Sequence, residues 1–302
     1  MILVINKKFM SKLTKVIIPI AGLGTRLLPA TKAIPKEMLP IINKPIIQYV
    51  VEETVSAGFK EIIFVTHSSK ASVENHFDTS FELEATLEKR LKRSLLKEIK
   101  SISKLDIIIQ SIRQGEAKGL GHAVLCASSI VGNQPFAIVL PDMVFRNSGK
   151  NNDLHQMKIN FEKNEISSIL LNTSKKSDLS NYGVVSFKNK QTSKKEVFIR
   201  DLVEKPSPSK APSTYFASGR YIFTNNFLNY LDELKPDKSG EIQLTSGISD
   251  FINNGNNLIG HKSSETVYDC GNKLGYLKAI IDFGIDDKSI SKDIKHHLKT
   301  II

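Results

Sequence analysis

Short apolar runs recur along this chain at lengths that suit buried strands. Residues 16–20 (VIIPI), 61–66 (EIIFVT), 105–110 (LDIIIQ), 136–140 (FAIVL) and 166–171 (ISSILL) are of this kind. Between several of them the apolar spacing turns helical, over 45–58 (PIIQYVVEETVSAG) and 121–130 (GHAVLCASSI). Such alternation predicts an α/β fold, a mostly parallel sheet with helices on both faces. Beyond Asn172 strand-like runs follow one another directly, over 182–187 (YGVVSF), 196–204 (EVFIRDLVE) and 215–223 (YFASGRYIF). They predict an added, smaller β layer of mixed or antiparallel strands. Helical patterns return over 225–234, 241–254 and 272–285, and Pro206 and Pro208 mark a loop after residue 205.

Length and composition narrow this picture. The 302 residues, 40% of them hydrophobic, suffice for one large α/β domain or two small ones. No break in composition separates domains, so a single domain is expected over 11–302. Residues 1–10 are expected to be a disordered extension, with Met10 as good a start as Met1. The leading apolar run is too short for a signal peptide, and its lysines follow rather than precede it. No apolar stretch approaches the ~20 residues of a membrane span. Cys126 and Cys270 are the only cysteines, which argues for a reducing, cytoplasmic setting and against a disulfide framework. Cys270 reads as a small buried residue rather than a nucleophile.

The formal net charge is +11, but it is spread thinly. Its densest run, residues 87–104, carries Leu87, Leu91, Leu95 and Ile99 at four-residue spacing, which predicts one amphipathic helix with a solvated basic face. Without interleaved aromatic residues the basicity does not point to nucleic acid. An anionic substrate is enough to account for it. The tail after residue 285 is basic and suits packing or oligomer contacts. Adjacent His296 and His297 cannot share a helix face, so no metal role is expected there.

The densest chemistry lies in residues 20–41, directly after the first predicted strand. Gly22 and Gly24 open a turn, and Arg26, Lys32 and Lys36 follow closely. Glycines expose backbone N–H groups, and the cations add charge, a combination that suits a polyphosphate. A dinucleotide fingerprint is ruled out by Leu27 where its third glycine would stand, and a P-loop by the missing Gly-Lys-Ser/Thr. A tight turn with scattered surface lysines fits the same spacing. Asp142 ends the predicted strand FAIVLPD, where open α/β sheets bind ligands; it could hold Mg²⁺ on a nucleotide phosphate or simply form a turn. Glu204 and Lys205 close another strand and should point to opposite faces. The Gln114 amide offers both a donor and an acceptor. His122, at the start of a predicted helix, is expected to cap or pack.

The segment AGLGTRLLPATKAIPKEMLP resembles the signature loop of the sugar-1-phosphate nucleotidylyltransferases, and more narrowly of the bacterial UTP–glucose-1-phosphate uridylyltransferases. VTHSSKASVENHFDTSFELE, RQGEAKGLGHAVLCA, VLPD, YGVV, VEKP, GEIQLT and YDCGNKLGY follow in the family's order, from about Val16 to Ile285. The resemblance implies a Rossmann-like, mostly parallel mixed sheet with the smaller β layer on the sugar side. It implies the reaction UTP + glucose 1-phosphate → UDP-glucose + diphosphate. By the same resemblance Ala21, Gly22, Gly24, Thr25, Gln114 and Gly119 bind the nucleotide, and Gly183, Glu204 and Lys205 bind the sugar phosphate. Arg26, Lys36 and Lys205 serve catalysis, and Asp142 and Asp269 share Mg²⁺ in one cleft. A homodimer or homotetramer is implied too. The chain departs from the family at Ser246, where an aspartate is usual, which puts any role of that position in doubt. A sister transferase using another base or sugar, or a non-catalytic relative, are the competing readings.

Overall fold

The computed structural model describes residues 12–146, 149–189 and 194–301. The expected extension over residues 1–10 lies outside them. Strands β1 (Lys15–Pro19), β2 (Pro40–Ile41), β3 (Lys44–Pro45), β4 (Glu61–Thr66), β5 (Ile108–Arg113), β6 (Phe136–Val139) and β7 (Met143–Phe145) come from the first half. The second half adds β8 (Ser167–Thr173), β9 (Gly183–Phe187), β10 (Glu196–Glu204), β11 (Tyr215–Phe223), β12 (Leu258–Lys262) and β13 (Val267–Asp269). Nine of these form one sheet in the order β5-β4-β1-β6-β11-β8-β12-β10-β9, in which β10 and β11 run against the rest.

The strands after Asn172 therefore extend the main sheet, and β9 turns back to pair with β11 as well. The small extra sheets are two ribbons, β2 with β3 and β7 with β13. Apolar runs at the centre of the sheet are unbroken because both faces are covered. On β1, Ile17 faces one core cluster while Val16 and Ile18 face the other; on β6, Phe136 and Ile138 oppose Ala137 and Val139 in the same way. Helices α1 (Ile46–Ser56) and α7 (Asp153–Asn164) cover one face, while α5 (Leu120–Cys126), α8 (Phe227–Asp232) and α9 (Leu244–Asn253) cover the other. The chain steps from β1 to β4 and β5 on one side, then returns to β6 on the other side of β1. Such a reversal opens a crevice at the carboxyl ends of β1 and β6.

Two sequence expectations are corrected. The basic helix expected over 87–104 is two helices, Phe81–Lys89 and Arg93–Ser103. Leu91 lies between them with φ +56° and is exposed, so the four-residue stripe is broken at its second member. The strand expected at 105–110 is shifted to Ile108–Arg113. Among the described residues no helix is long and apolar enough to cross a membrane.

Two buried ion pairs lie beneath the crevice. Arg220 is fully buried on β11, next to Gly219, whose φ of +78° breaks the β11–β8 register. A Cβ at Gly219 would stand 2.9 Å from Met143 Cγ and 3.0 Å from Leu140 Cβ. All five guanidinium N–H groups are used. Nε and Nη2 donate to the two carboxylate oxygens of Glu53 on α1, at 2.9 and 2.6 Å. Nη1 donates to the carbonyls of Leu140 (3.2 Å) and Gly219 (3.1 Å), and Nη2 also to that of Met143 (2.8 Å). In the second pair, Lys70 Nζ donates to Glu37 Oε2 (2.8 Å) and to the Gly22 carbonyl (2.7 Å), and both side chains are nearly or wholly buried.

Removing one partner of a buried pair strands the other charge. Glu53→Ala is expected to cost about 3–5 kcal/mol in urea unfolding, and a loss below about 1 kcal/mol would mean that the pair is not a structural support. Burial already raises the Glu37 carboxyl above its ordinary value of 4.5, against the opposing pull of Lys36 and Lys70. Lys70→Met removes part of that pull and should raise it further. A carboxyl raised in the folded state binds more protons folded than unfolded, so stability falls as pH rises above 4.5. The stability gap between the unmodified protein and Lys70→Met should therefore widen from pH 5 to pH 8; a gap independent of pH would refute this account.

Candidate active site

The loop after β1 folds as three short turns, Thr25–Leu27, Ala30–Lys32 and Lys36–Met38. Its shape is held from within, by Thr31 Oγ1 donating to the Gly24 carbonyl at 2.8 Å, and from beneath, by Lys70 on the Gly22 carbonyl. Lys36 Nζ thereby comes to 2.6 Å from Asp142 Oδ2, just past the end of β6.

Asp142 and Asp269 meet because of strand register. Met143 and Asp269 are cross-strand partners in the β7–β13 ribbon, and the Cys270 N–H donates to the Asp142 carbonyl at 2.8 Å. Asp142 Oδ2 and Asp269 Oδ1 lie 2.7 and 3.0 Å from one point, the position a Cβ at Gly271 would take. Arg26 Nη2 is 2.6 Å from that same point. Arg26 Nη1 contacts Asp269 Oδ2 at 3.5 Å, and its Nη2 stands 3.9 Å from Asp142 Oδ2. Both aspartates thus face the Gly22–Arg26 loop.

The charges on these groups are fixed by their neighbours. Burial alone would raise the Asp142 carboxyl, but Lys36 and Arg26 outweigh it and hold it below the usual carboxylate value. Burial alone would lower the Lys36 ammonium; Asp142 and Glu37 reverse that and push it up. Asp142 is an anion and Lys36 a cation near neutrality. Burial and the two aspartates push the Cys270 thiol far up, so it is no nucleophile. Tyr182 lies beside the Asp269 carboxylate and stacks on Phe216, with ring centroids 4.4 Å apart. Burial and that carboxylate raise its phenol well above the ordinary value.

One cleft of about 640 Å³ gathers every site residue that the resemblance implies: Ala21, Gly22, Gly24, Thr25, Arg26, Lys36, Gln114, Gly119, Asp142, Gly183, Glu204, Lys205 and Asp269. Its volume lies within the range of small-ligand sites. Glu204 and Lys205 do not diverge as expected. Lys205 lies just beyond β10 with φ +43°, its N–H bound to the Tyr182 carbonyl, and its Nζ turns back to 3.1 Å from Glu204 Oε1. Glu204 Oε2 also flanks Gly183, 3.6 Å from where a Cβ there would stand. Ser246 is exposed on α9 and does not line the cleft, whereas Leu244 and Thr245 do. Sequence reading missed Tyr182, Lys70, Glu37 and Arg220. Its place beside Gly183 in NYGVV could have marked Tyr182, and Glu37 and Lys70 lie in segments that carry the resemblance, whereas Arg220 stands in no such segment.

Two carboxylates are too few for an all-protein metal cage, and among the described residues no group of three or more His, Cys, Asp or Glu gathers. They do fit a hard cation that takes one or two carboxylates and completes its shell with phosphate and water.

A family model described as nucleotidyl transferase matches residues 15–283. The UTP–glucose-1-phosphate uridylyltransferase of Haemophilus ducreyi is 46% identical over 295 residues, covering 95% of this chain and 98% of its own. That of Escherichia coli K12 is 45% identical, with 96% of each chain covered. Among solved structures, a UDP-glucose pyrophosphorylase from Acinetobacter baumannii superimposes with a TM-score of 0.87 at 38% identity, covering 96% of this chain and all of the other. A UDP-glucose pyrophosphorylase complexed with UDP-glucose gives 0.82 at 36% identity, over 91% of this chain and all of the other. With a family model spanning most of its length and relatives this similar from end to end, the chain belongs to the nucleotidyl transferase family.

Proposed function

We propose that this chain transfers the uridylyl group of UTP to glucose 1-phosphate, giving UDP-glucose and diphosphate. The observation that carries this reading is the convergence of Arg26, Asp142 and Asp269 on one point of the cleft, with Lys36 paired to Asp142 beside it. Gln114 follows β5 on one side of β1, and Glu204 and Lys205 close β10 beyond β6. The relatives named uridylyltransferases and the structure solved with UDP-glucose support the choice of nucleotide and sugar.

A phosphate oxygen of glucose 1-phosphate attacks the α-phosphorus of UTP. A new P–O bond forms as the bond to the β-phosphate breaks, and diphosphate leaves with that electron pair. No side chain need act as nucleophile, so positioning and charge neutralisation are the main tasks. Arg26, half-exposed beside the glycine loop, and Lys36 neutralise the triphosphate and the leaving diphosphate. Lys205 holds the incoming phosphate, Glu204 and the open flank of Gly183 receive the sugar, and Gln114 and Gly119 receive the base. Amides of Ala21, Gly22, Gly24 and Thr25 add fixed dipoles. Mg²⁺, held by Asp142 and Asp269 with nucleotide phosphate and water, would act as a Lewis acid on the phosphoryl oxygens. The same reading carries a cytoplasmic location and a homodimer or homotetramer.

Lys36→Ala is expected to lower kcat by about 10²-fold or more, the scale of losing one electrostatic donor, with circular dichroism unchanged. Undiminished turnover by the folded variant would refute the assignment. Diphosphate release should stop with chelator and return with Mg²⁺ or Mn²⁺; activity persisting in chelator would sink the metal role. In a nucleotide panel UTP should far exceed ATP and GTP in kcat/KM, with TTP the nearest competitor, and comparable efficiency with ATP would overturn the uridine reading.

A further inference from the structure

Gln114 is almost fully buried at the end of β5, its backbone N–H tied to the Thr66 carbonyl at 2.9 Å. Its side-chain Nε2 lies 3.1 Å from the Gly119 carbonyl and 3.0 Å from His122 Nδ1. A backbone carbonyl only accepts, so the group facing Gly119 must be the NH₂ end of the amide. That end has two hydrogens and here meets two acceptors. His122 Nδ1 is therefore unprotonated and the ring proton sits on Nε2. Cys126, one turn along α5, stands against the ring with Sγ 3.9 Å from Nδ1.

The acceptor at Gly119 is itself rigid. Gly119 has φ +92°, and a Cβ there would be 2.7 Å from the Ile242 carbonyl. The Ile242 N–H donates to the Lys118 carbonyl and the Gly121 N–H to the Ile242 carbonyl, both at 2.8 Å. With both amide hydrogens spent on fixed partners, the one group Gln114 can offer a ligand is Oε1, an acceptor.

We propose that His122 is a specificity-positioning residue, which locks the Gln114 amide with Oε1 toward the cleft and so selects a pyrimidine that presents N3–H. This rests on the uridylyl reading and deepens it. Uracil carries a hydrogen at N3, whereas cytosine carries a lone pair there, and an acceptor facing a lone pair leaves both unpaired. His122 does not touch the base; it acts through Gln114.

The test uses steady-state kcat/KM with UTP and with CTP for the unmodified protein, His122→Phe and His122→Asn. Phenylalanine keeps the ring's bulk but offers no acceptor. Asparagine can place an oxygen near the position of Nδ1. His122→Phe should lose about tenfold or more of the UTP-over-CTP ratio, the scale of one hydrogen bond, while its thermal midpoint stays near that of the unmodified protein. His122→Asn should restore most of the ratio, which a purely structural role for the ring would not require. A folded His122→Phe variant with the full ratio would overturn the role of His122 and leave the uridylyl reading standing. An unmodified protein that uses CTP as well as UTP would overturn both.

Discussion

The site depends on one buried guanidinium. Arg220 binds the Glu53 carboxylate with two N–H groups and the carbonyls of Leu140 and Met143 with two more, so it grips the backbone on either side of Pro141 and Asp142. Taking both charges out of water carries a large desolvation cost, which well-packed apolar side chains would avoid. Apolar replacements could fill that space, but they could not hold two carbonyls in place. The pair joins α1, β11 and the end of β6 at the spot where Asp142 turns toward the cleft. Phe145, with its ring centroid 4.9 Å from the guanidinium carbon, closes over it.

A second arrangement of the same kind works at the glycine loop. Lys70 reaches the Gly22 carbonyl from below while Glu37 pairs with it, so the loop is tied to the body of the fold by a buried ion pair. Above these supports the cleft carries cations and carboxylates already in contact. Lys36 and Arg26 are balanced by Asp142 and Asp269. An arriving triphosphate and a divalent cation would bring opposite charges to that set. The protein therefore need not move a bare charge through a low-dielectric cavity at any stage, the arrangement expected of preorganised electrostatic catalysis.

How much of this could be read from the chain varies with the range of the contacts. Buried strands were legible because coverage on both faces makes them continuous apolar runs, as at Ile17 and Ile138. The loop at Gly22–Lys36 was legible because its glycines and cations are close in sequence. Asp142 was legible from its place past a strand. Asp269 was recognised through resemblance alone, since its tie to Asp142 depends on a ribbon between distant segments. Arg220, Lys70 and Glu37 were not singled out, because the partners that bury them lie far off in sequence. Leu91 shows the opposite error: its spacing fits one long helix, but the chain turns there. Strands β7, β12 and β13 were missed because they are short or contain Gly260 and His261 in place of an apolar run.

The β7–β13 ribbon also sets when the two carboxylates of the cleft can meet. Its two strands come from the middle and from near the end of the chain, and Asp269 arrives with the later one. During synthesis the half containing β1, β4, β5 and β6 emerges first and can begin to fold on its own local contacts. It will carry the glycine loop, Lys36 and Asp142, yet lack the second carboxylate. A nascent or prematurely terminated chain that stops before Val267 thus carries the glycine loop and Asp142 without the second carboxylate that faces them. The order in which the ribosome delivers the strands therefore puts off the meeting of Asp142 and Asp269 until near the end of synthesis.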